Sequence, residues 1–167
     1  GDGGHWVRLK LHTYRASDPK LRDTWDWLFK GVSVCNRVRE IMEPLGTPLS
    51  QKLIFELRAL RAIYYYWLLD MFGNVPISTD FQQAEPLPNN TRQEVYNFVE
   101  SELIATMPEL EKTGPNDDAT YGRVNYYTTQ AVLAKLYLNA EVYTGTAQWD
   151  KCIAACDEII NSTLFKL

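Results

Sequence analysis

Net positive charge, histidine and cysteine are what this 167-residue chain has least of. Lysine and arginine total 17 against 21 acidic residues, a net charge of −4, so there is no electrostatic footprint for nucleic acid or an anionic lipid surface. Only His5 and His12 carry imidazoles, both in the first dozen residues, and no third ligand type is spaced with them as a metal site requires. Three cysteines, Cys35, Cys152 and Cys156, are an odd number and a poor basis for a disulfide framework. Cys152 and Cys156 are read as small, buried packing residues of one helix.

Longer motifs are missing too. The chain has no Gly-x-Gly-x-x-Gly, Walker A, His-Glu-x-x-His, Cys-x-x-Cys or Gly-x-Ser-x-Gly pattern, so nothing argues for nucleotide, zinc-protease, redox or serine-hydrolase chemistry. Glu100 with Glu102, and Asp157 with Glu158, are placed by period on solvated helix faces rather than as a catalytic pair. Asn116, Asp117 and Asp118 lack the downstream glutamate of a calcium loop and read as a solvated turn. No apolar run spans a bilayer, because Asp70 interrupts the longest one, from Tyr64 to Phe72. The opening Gly1-Asp2-Gly3-Gly4 has neither the basic nor the apolar part of a leader. It is therefore read as the start of an excised or processed segment, with any signal or lipid anchor belonging to the parent chain.

What is present is ordinary globular composition with an aromatic excess. Hydrophobic residues make up 46% and charged residues 23%, which argues for one folded domain over residues 1–167. Ten Tyr, five Trp and six Phe serve either a core or a stacking surface. Residues 1–18 show no period and are read as an ordered loop or arm, followed by helical repeats over 19–167.

Punctuation in the rest is helical. Asp18-Pro19 opens a helix that must stop by Glu43, before Pro44. Thr47-Pro48 opens the next, with Leu53, Leu57, Leu60, Tyr64, Leu68 and Met71 three or four apart and Gly73 as terminator. Residues 74–90 are a proline-punctuated loop. Thr91 to Glu94 is a capping box for a third helix, which carries Val95, Phe98, Val99, Leu103 and Met107. A fourth helix is expected over about Val124 to Tyr143, and a fifth from Thr146 to about Asn161. No segment alternates with period two. The fold class is all-α: stacked helical hairpins resembling tetratricopeptide repeats.

The repeat likeness rests on Leu133-Ala134 and Tyr137, then on Trp149, Cys152, Cys156 and Ile159, whose spacing fits the repeat's aromatic-x2-small-x3-bulky-x2-small pattern, although Ile159 is larger than the usual alanine. The stretch between Tyr137 and Trp149 is longer than in that repeat, so the first helix or its turn must be extended. Four consecutive aromatics, Tyr64 to Trp67, point around most of a helix, and most of them are expected to be core. Arg61, among apolar neighbours, should meet a carboxylate or carbonyl inside the stack. Trp149 is also expected to be core.

Three blocks then carry a family resemblance. Trp25 to Val38 (WDWLFKGVSVCNRV) is similar to the W-x-x-x-Y/F-x-x-I-x-x-x-N block of the SusD/RagB family of nutrient-binding outer-membrane lipoproteins. Glu56 to Ile77 resembles its E-x-x-x-x-RA-x-x-Y-x-x-L-x-x-x-FG-x-V-P stretch through Arg61, Ala62, Tyr65, Leu68, Phe72, Gly73, Val75 and Pro76. Gly122-Arg123 with Leu133 to Leu138, followed by the helix from Trp149 to Ile160, resembles its GR and LA-x-x-YL elements. Tyr126 to Thr129 depart from the family's Gly- and Ala-rich pattern. Family members are much longer, so the likeness is to their helical, repeat-bearing part, a SusD-like α-α superhelix.

The resemblance implies a surface-exposed outer-membrane lipoprotein that is not an enzyme and needs no cofactor or metal. It implies capture of an oligosaccharide or polysaccharide and transfer to a SusC-like TonB-dependent transporter, with membrane attachment only through a lipid anchor that this chain lacks. The competing reading is a helical-repeat scaffold for protein partners with no glycan binding. In the family the region before Trp25 reaches the glycan. The candidate ligand residues are therefore Trp6, His5, Asp2 and Tyr14: aromatic rings stack on pyranose faces, and Asp or His bonds hydroxyls.

Overall fold

The computed structural model describes residues 3–83, 85–117 and 120–165. Those residues form seven α-helices and no strand: α1 (His5–Lys10), α2 (Pro19–Met42), α3 (Pro48–Phe72), α4 (Arg92–Thr106), α5 (Tyr126–Leu138), α6 (Ala140–Thr144) and α7 (Trp149–Asn161), with 3-10 turns at Glu43–Leu45 and Met107–Glu109. The all-α expectation holds.

Most starts follow from cap chemistry written in the sequence. The Asp18 carboxylate accepts the Lys20 amide at 3.2 Å, and Pro19 stands where a helix has no use for an N–H. Thr47 with Ser50 and Thr91 with Glu94 close reciprocal capping boxes on α3 and α4. Asn125 accepts the Thr128 amide at 2.9 Å to start α5. Gly73, at φ 74°, ends α3 in a conformation that suits glycine.

α2 lies along α3, α3 along α4, and α5 along α7, so the chain stacks antiparallel neighbours into a superhelix. The core runs through the middle of α3, where Ala59, Ala62, Tyr65, Leu68 and Leu69 are buried, and is closed by Leu28 and Val32 of α2 and by Val95, Val99 and Leu103 of α4. Of the four aromatics, Tyr65 and Tyr66 are buried, Tyr64 is half-buried, and Trp67 is exposed. Gly31 lets α2 approach α3 closely, because a Cβ there would fall inside the ring of Tyr64.

A polar clamp runs through this core. Arg61 is 4% exposed; it donates to Asn36 Oδ1 at 2.7 Å and to Glu102 Oε2 at 2.8 Å, which joins α2, α3 and α4. Arg58 makes a second, two-pronged bond to Glu102 at 2.7 and 3.2 Å. The clamp also grips the loop after α3. Asn36 donates to the Ser78 carbonyl at 3.1 Å, and the Ser78 amide donates to the Tyr65 hydroxyl at 2.7 Å. Farther along, Arg123 forks onto Glu56 at 2.6 and 3.0 Å.

Five expectations need correction. The arm is not all loop: Gly4, left-handed at φ 76°, starts the six-residue α1, which had no apolar stripe to announce it because none of its residues is buried. The fourth helix is two helices. Asn139 donates its side-chain amide to the Lys135 carbonyl at 3.1 Å, competing with the backbone there, and the chain bends into α6. That extra helix fills the long stretch before Trp149, and it brings the Tyr143 hydroxyl to Asp70 Oδ1 at 2.6 Å. Glu100 and Glu102 are not on solvated faces, since arginines of α3 reach Glu102 and Lys151 of α7 reaches Glu100. Cys152 and Cys156 are half-buried rather than buried, and all three cysteines are free thiols. Trp149 is 49% exposed, because α7 turns Ala155 rather than its tryptophan into the core.

Candidate functional site

Three segments distant in sequence converge where α3 ends. Phe72 stands at the last position of α3, with Trp25 of α2 packed edge-on against it at 5.1 Å between ring centroids and 85° between planes. Trp25 also contacts Phe29 at 4.7 Å. Phe72 and Met71 make an apolar floor, and Trp25 backs Phe72. The first turns of α2 supply one wall through Leu21, Thr24 and Trp27, and the arm supplies the other through Trp6, Leu9 and Tyr14. The groove between them has a volume of about 640 Å³, and the depression beside it shares Tyr14, Leu21, Met71 and Phe72.

Its rim is aromatic and open. Trp6 and Trp27 are each 62% exposed, and Tyr14 is 46% exposed. Trp27 is fixed edge-on to Tyr64, with ring centroids 5.7 Å apart and planes at 71°. The Lys20 ammonium lies 5.8 Å from the Trp6 ring centroid. Polar lining is sparse: Lys20, Asp23 and Thr24 can bond a hydroxyl there, as can the Tyr14 phenol and the indole N–H groups of Trp6 and Trp27. A groove of this kind offers flat π faces for the C–H-rich side of a ring and a few edge groups for orientation.

Of the four candidate residues, the structure brings Trp6 and Tyr14 to this groove. His5 turns the other way: its Nδ1 is 3.2 Å from Asp18 Oδ1 and lies against the Arg8 guanidinium. Asp2 lies outside the described residues. Among the described residues no cluster of three or more His, Cys, Asp or Glu side chains is placed to hold a metal.

No family model matches the chain. The starch-binding protein SusD of Bacteroides thetaiotaomicron is 33% identical to it over 107 residues, which is 64% of this chain and 19% of that protein. The chain is similar to that protein over its helical segment. A SusD-like protein of Bacteroides ovatus is 26% identical over 131 residues, 74% of this chain and 23% of that protein. The solved structure of surface glycan-binding protein A from Bacteroides uniformis superposes with a TM-score of 0.82 at 26% identity, over 98% of this chain and 36% of the other. The chain thus spans about a fifth of the curated relatives it matches and about a third of that solved structure.

Sequence reasoning missed Trp27. The inward stripe of α2 is Leu28, Val32 and Cys35, so the residue before Leu28 is rotated by about 100° off that stripe. That offset was the available signal. Trp25 and Trp27 differ by two positions and do different things, one backing Phe72 and one forming rim.

Proposed function

We propose that this chain is the helical part of a non-catalytic glycan-capture protein, one that works at the outer-membrane surface with a TonB-dependent transporter. The observation that carries the reading is the groove rimmed by exposed Trp6, Tyr14 and Trp27 in a chain similar to a starch-binding protein. Residues 1–167 act as one helical unit, and glycan contacts fall to Trp6 and Tyr14, with Trp27 opposite them. Catalysis is not part of the reading: the paired carboxylate Glu102 is neutralised by Arg58 and Arg61, and Glu100 by Lys151. Surface display by a lipid anchor on the parent chain completes the proposal.

The test is calorimetric titration of the full-length protein with a panel of soluble starch, fructans, host glycans and plant polysaccharides. Binding that weakens at least tenfold in Trp6→Ala supports the reading. Absence of binding across the panel defeats it.

The scaffold reading draws on a different observation. Val34, Ile41 and Leu45 of α2 and its following turn are all more than half exposed and follow Trp27 along one ridge. A full-length protein that captures transporter but no glycan would decide for the scaffold.

A further inference from the structure

The arm that carries Trp6 is attached in an unusual way for this molecule. None of the residues of α1 is buried, so lost water-exposed area does little to hold the helix in place. Two of its polar side chains, His5 and Arg8, meet instead on one carboxylate at the start of α2. Asp18 is the cap of α2, and its side chain is only 2% exposed. It accepts from Arg8 Nε at 2.9 Å, and the His5 ring nitrogen is 3.2 Å from its other oxygen. Arg8 in turn donates to the Gly3 carbonyl at 3.0 Å, so the guanidinium is braced on both sides. Burial by itself would push the Asp18 carboxyl up; the Arg8 hydrogen bond, the Lys20 amide and the charges of Arg8 and His5 outweigh it and hold the group below the usual carboxylate range. It is an anion at neutral pH, as such a grip requires.

His5 and Arg8 flank Trp6 and Val7 in sequence, on the turn that presents Trp6 to the groove. We propose that Asp18 is a positioning residue for ligand capture: its buried carboxylate latches α1 onto α2 and so sets the Trp6 wall of the groove. Asp18 itself does not line the groove; it acts through Arg8 and His5. The inference rests on the glycan-groove reading given above and adds to it the device that assembles the groove.

Two substitutions separate the latch from the cap. Asp18→Asn keeps a good helix cap, because Asn and Asp rank together at that position, but removes the charge that holds Arg8. Arg8→Met leaves Asp18 and α2 intact and cuts the tie from the arm side.

The experiment measures two quantities on the full-length wild type, Asp18→Asn, Arg8→Met, Arg8→Lys and Trp6→Ala proteins: hydrogen exchange of the segment 5–14, and retention in gels containing the polysaccharides of the panel above. Asp18→Asn and Arg8→Met should raise exchange in segment 5–14 by about tenfold, the size of one charge-assisted hydrogen bond, while α3 and α4 stay unchanged. Retention should fall to the level of Trp6→Ala, Arg8→Lys should recover part of it, and adding Trp6→Ala to Arg8→Met should cost nothing further. Unchanged exchange in segment 5–14 overturns the latch. Raised exchange with unchanged retention overturns the positioning role and leaves the glycan reading standing. A wild type retained by no polysaccharide overturns both, and the exchange data still report whether the arm is latched.

Discussion

Asp18 and Glu102 are both carboxylates gripped by arginine, yet the surroundings of the two grips could hardly differ more. Around Glu102, three long helices are already pressed together by Tyr65, Leu68, Val99 and Leu103, all fully buried. The pair with Arg61 sits inside that packing, with side chains 14% and 5% exposed. Around Asp18 the carboxylate is just as enclosed, but its partner Arg8 is 36% exposed and belongs to a helix with no buried residue. In the stack, apolar area brings the helices together and the ion pair must be satisfied once it is there. At the arm, the ion pair does the holding. One chemistry therefore stabilises the stack at one end and, in the proposed latch, sets the Trp6 wall of the groove at the other.

The largest effect should come from breaking the buried grip. Glu102→Ala leaves Arg61 among apolar neighbours without its anion, and unfolding by denaturant should show a loss of about 3 kcal/mol. The same grip has a pH signature. Burial would raise the Glu102 carboxyl, but hydrogen bonds and charge from Arg58 and Arg61 hold it below its ordinary value. A carboxyl depressed in the folded state stabilises the fold above its unfolded pKa, and that stability is lost as pH falls through the folded value. Acid unfolding should thus begin below about pH 4, with a shallower slope in Glu102→Gln.

Next in size is Gly31→Ala. The added methyl meets the Tyr64 ring, and overpacking of this kind costs about 1–3 kcal/mol by thermal melts. It also sharpens the comparison, because Tyr64 backs Trp27: a perturbation of the stack should reach the groove rim and change Trp27 fluorescence. Thr91→Ala removes one half of the α4 capping box and should cost about 1 kcal/mol in the same melts. The smaller loss of the two grips belongs to the arm, where Arg8→Met should lower unfolding free energy by no more than the roughly 1.4 kcal/mol that a tenfold rise in exchange represents. A large loss there would erase the contrast between the two grips.

Legibility in the sequence followed the same divide. The stack could be read because it repeats its signals: caps at Asp18, Thr47 and Thr91, a terminator at Gly73, and apolar residues at helical spacing along α3. Arg61 was legible as a buried cation because everything near it on α3 is apolar. Its partner was not, since the period of α4 places Glu102 beside the inward stripe, and only the approach of α3 decides that it is enclosed. The bend at Asn139 was hidden because asparagine inside a helix is ordinary, and what matters is where its amide donates. At the site, Trp6 and Tyr14 stood out as aromatics in a segment without period, and both reach the groove. His5 was grouped with them by proximity in sequence, although its ring is committed to Asp18. Trp27 was masked by the notice given to Trp25 two residues earlier.

The described residues of the loop after α3 form no helix or strand, and its first part is held largely by side chains. The carbonyl of Ser78 is held by Asn36, that of Thr79 takes Arg39 at 2.9 Å, and the amide of Ile77 is bound by Asn90 at 3.0 Å. Farther along, the Phe81 amide donates to Glu40 at 2.7 Å, and beyond it the Gln82 amide and the Gln83 side chain bond within the loop, to Asp80 and to the Glu85 carbonyl. Such a division makes the loop modular. Its root is inherited from the helices, while its tip is free to change length and sequence, as a grafted peptide would, without disturbing the frame that carries it.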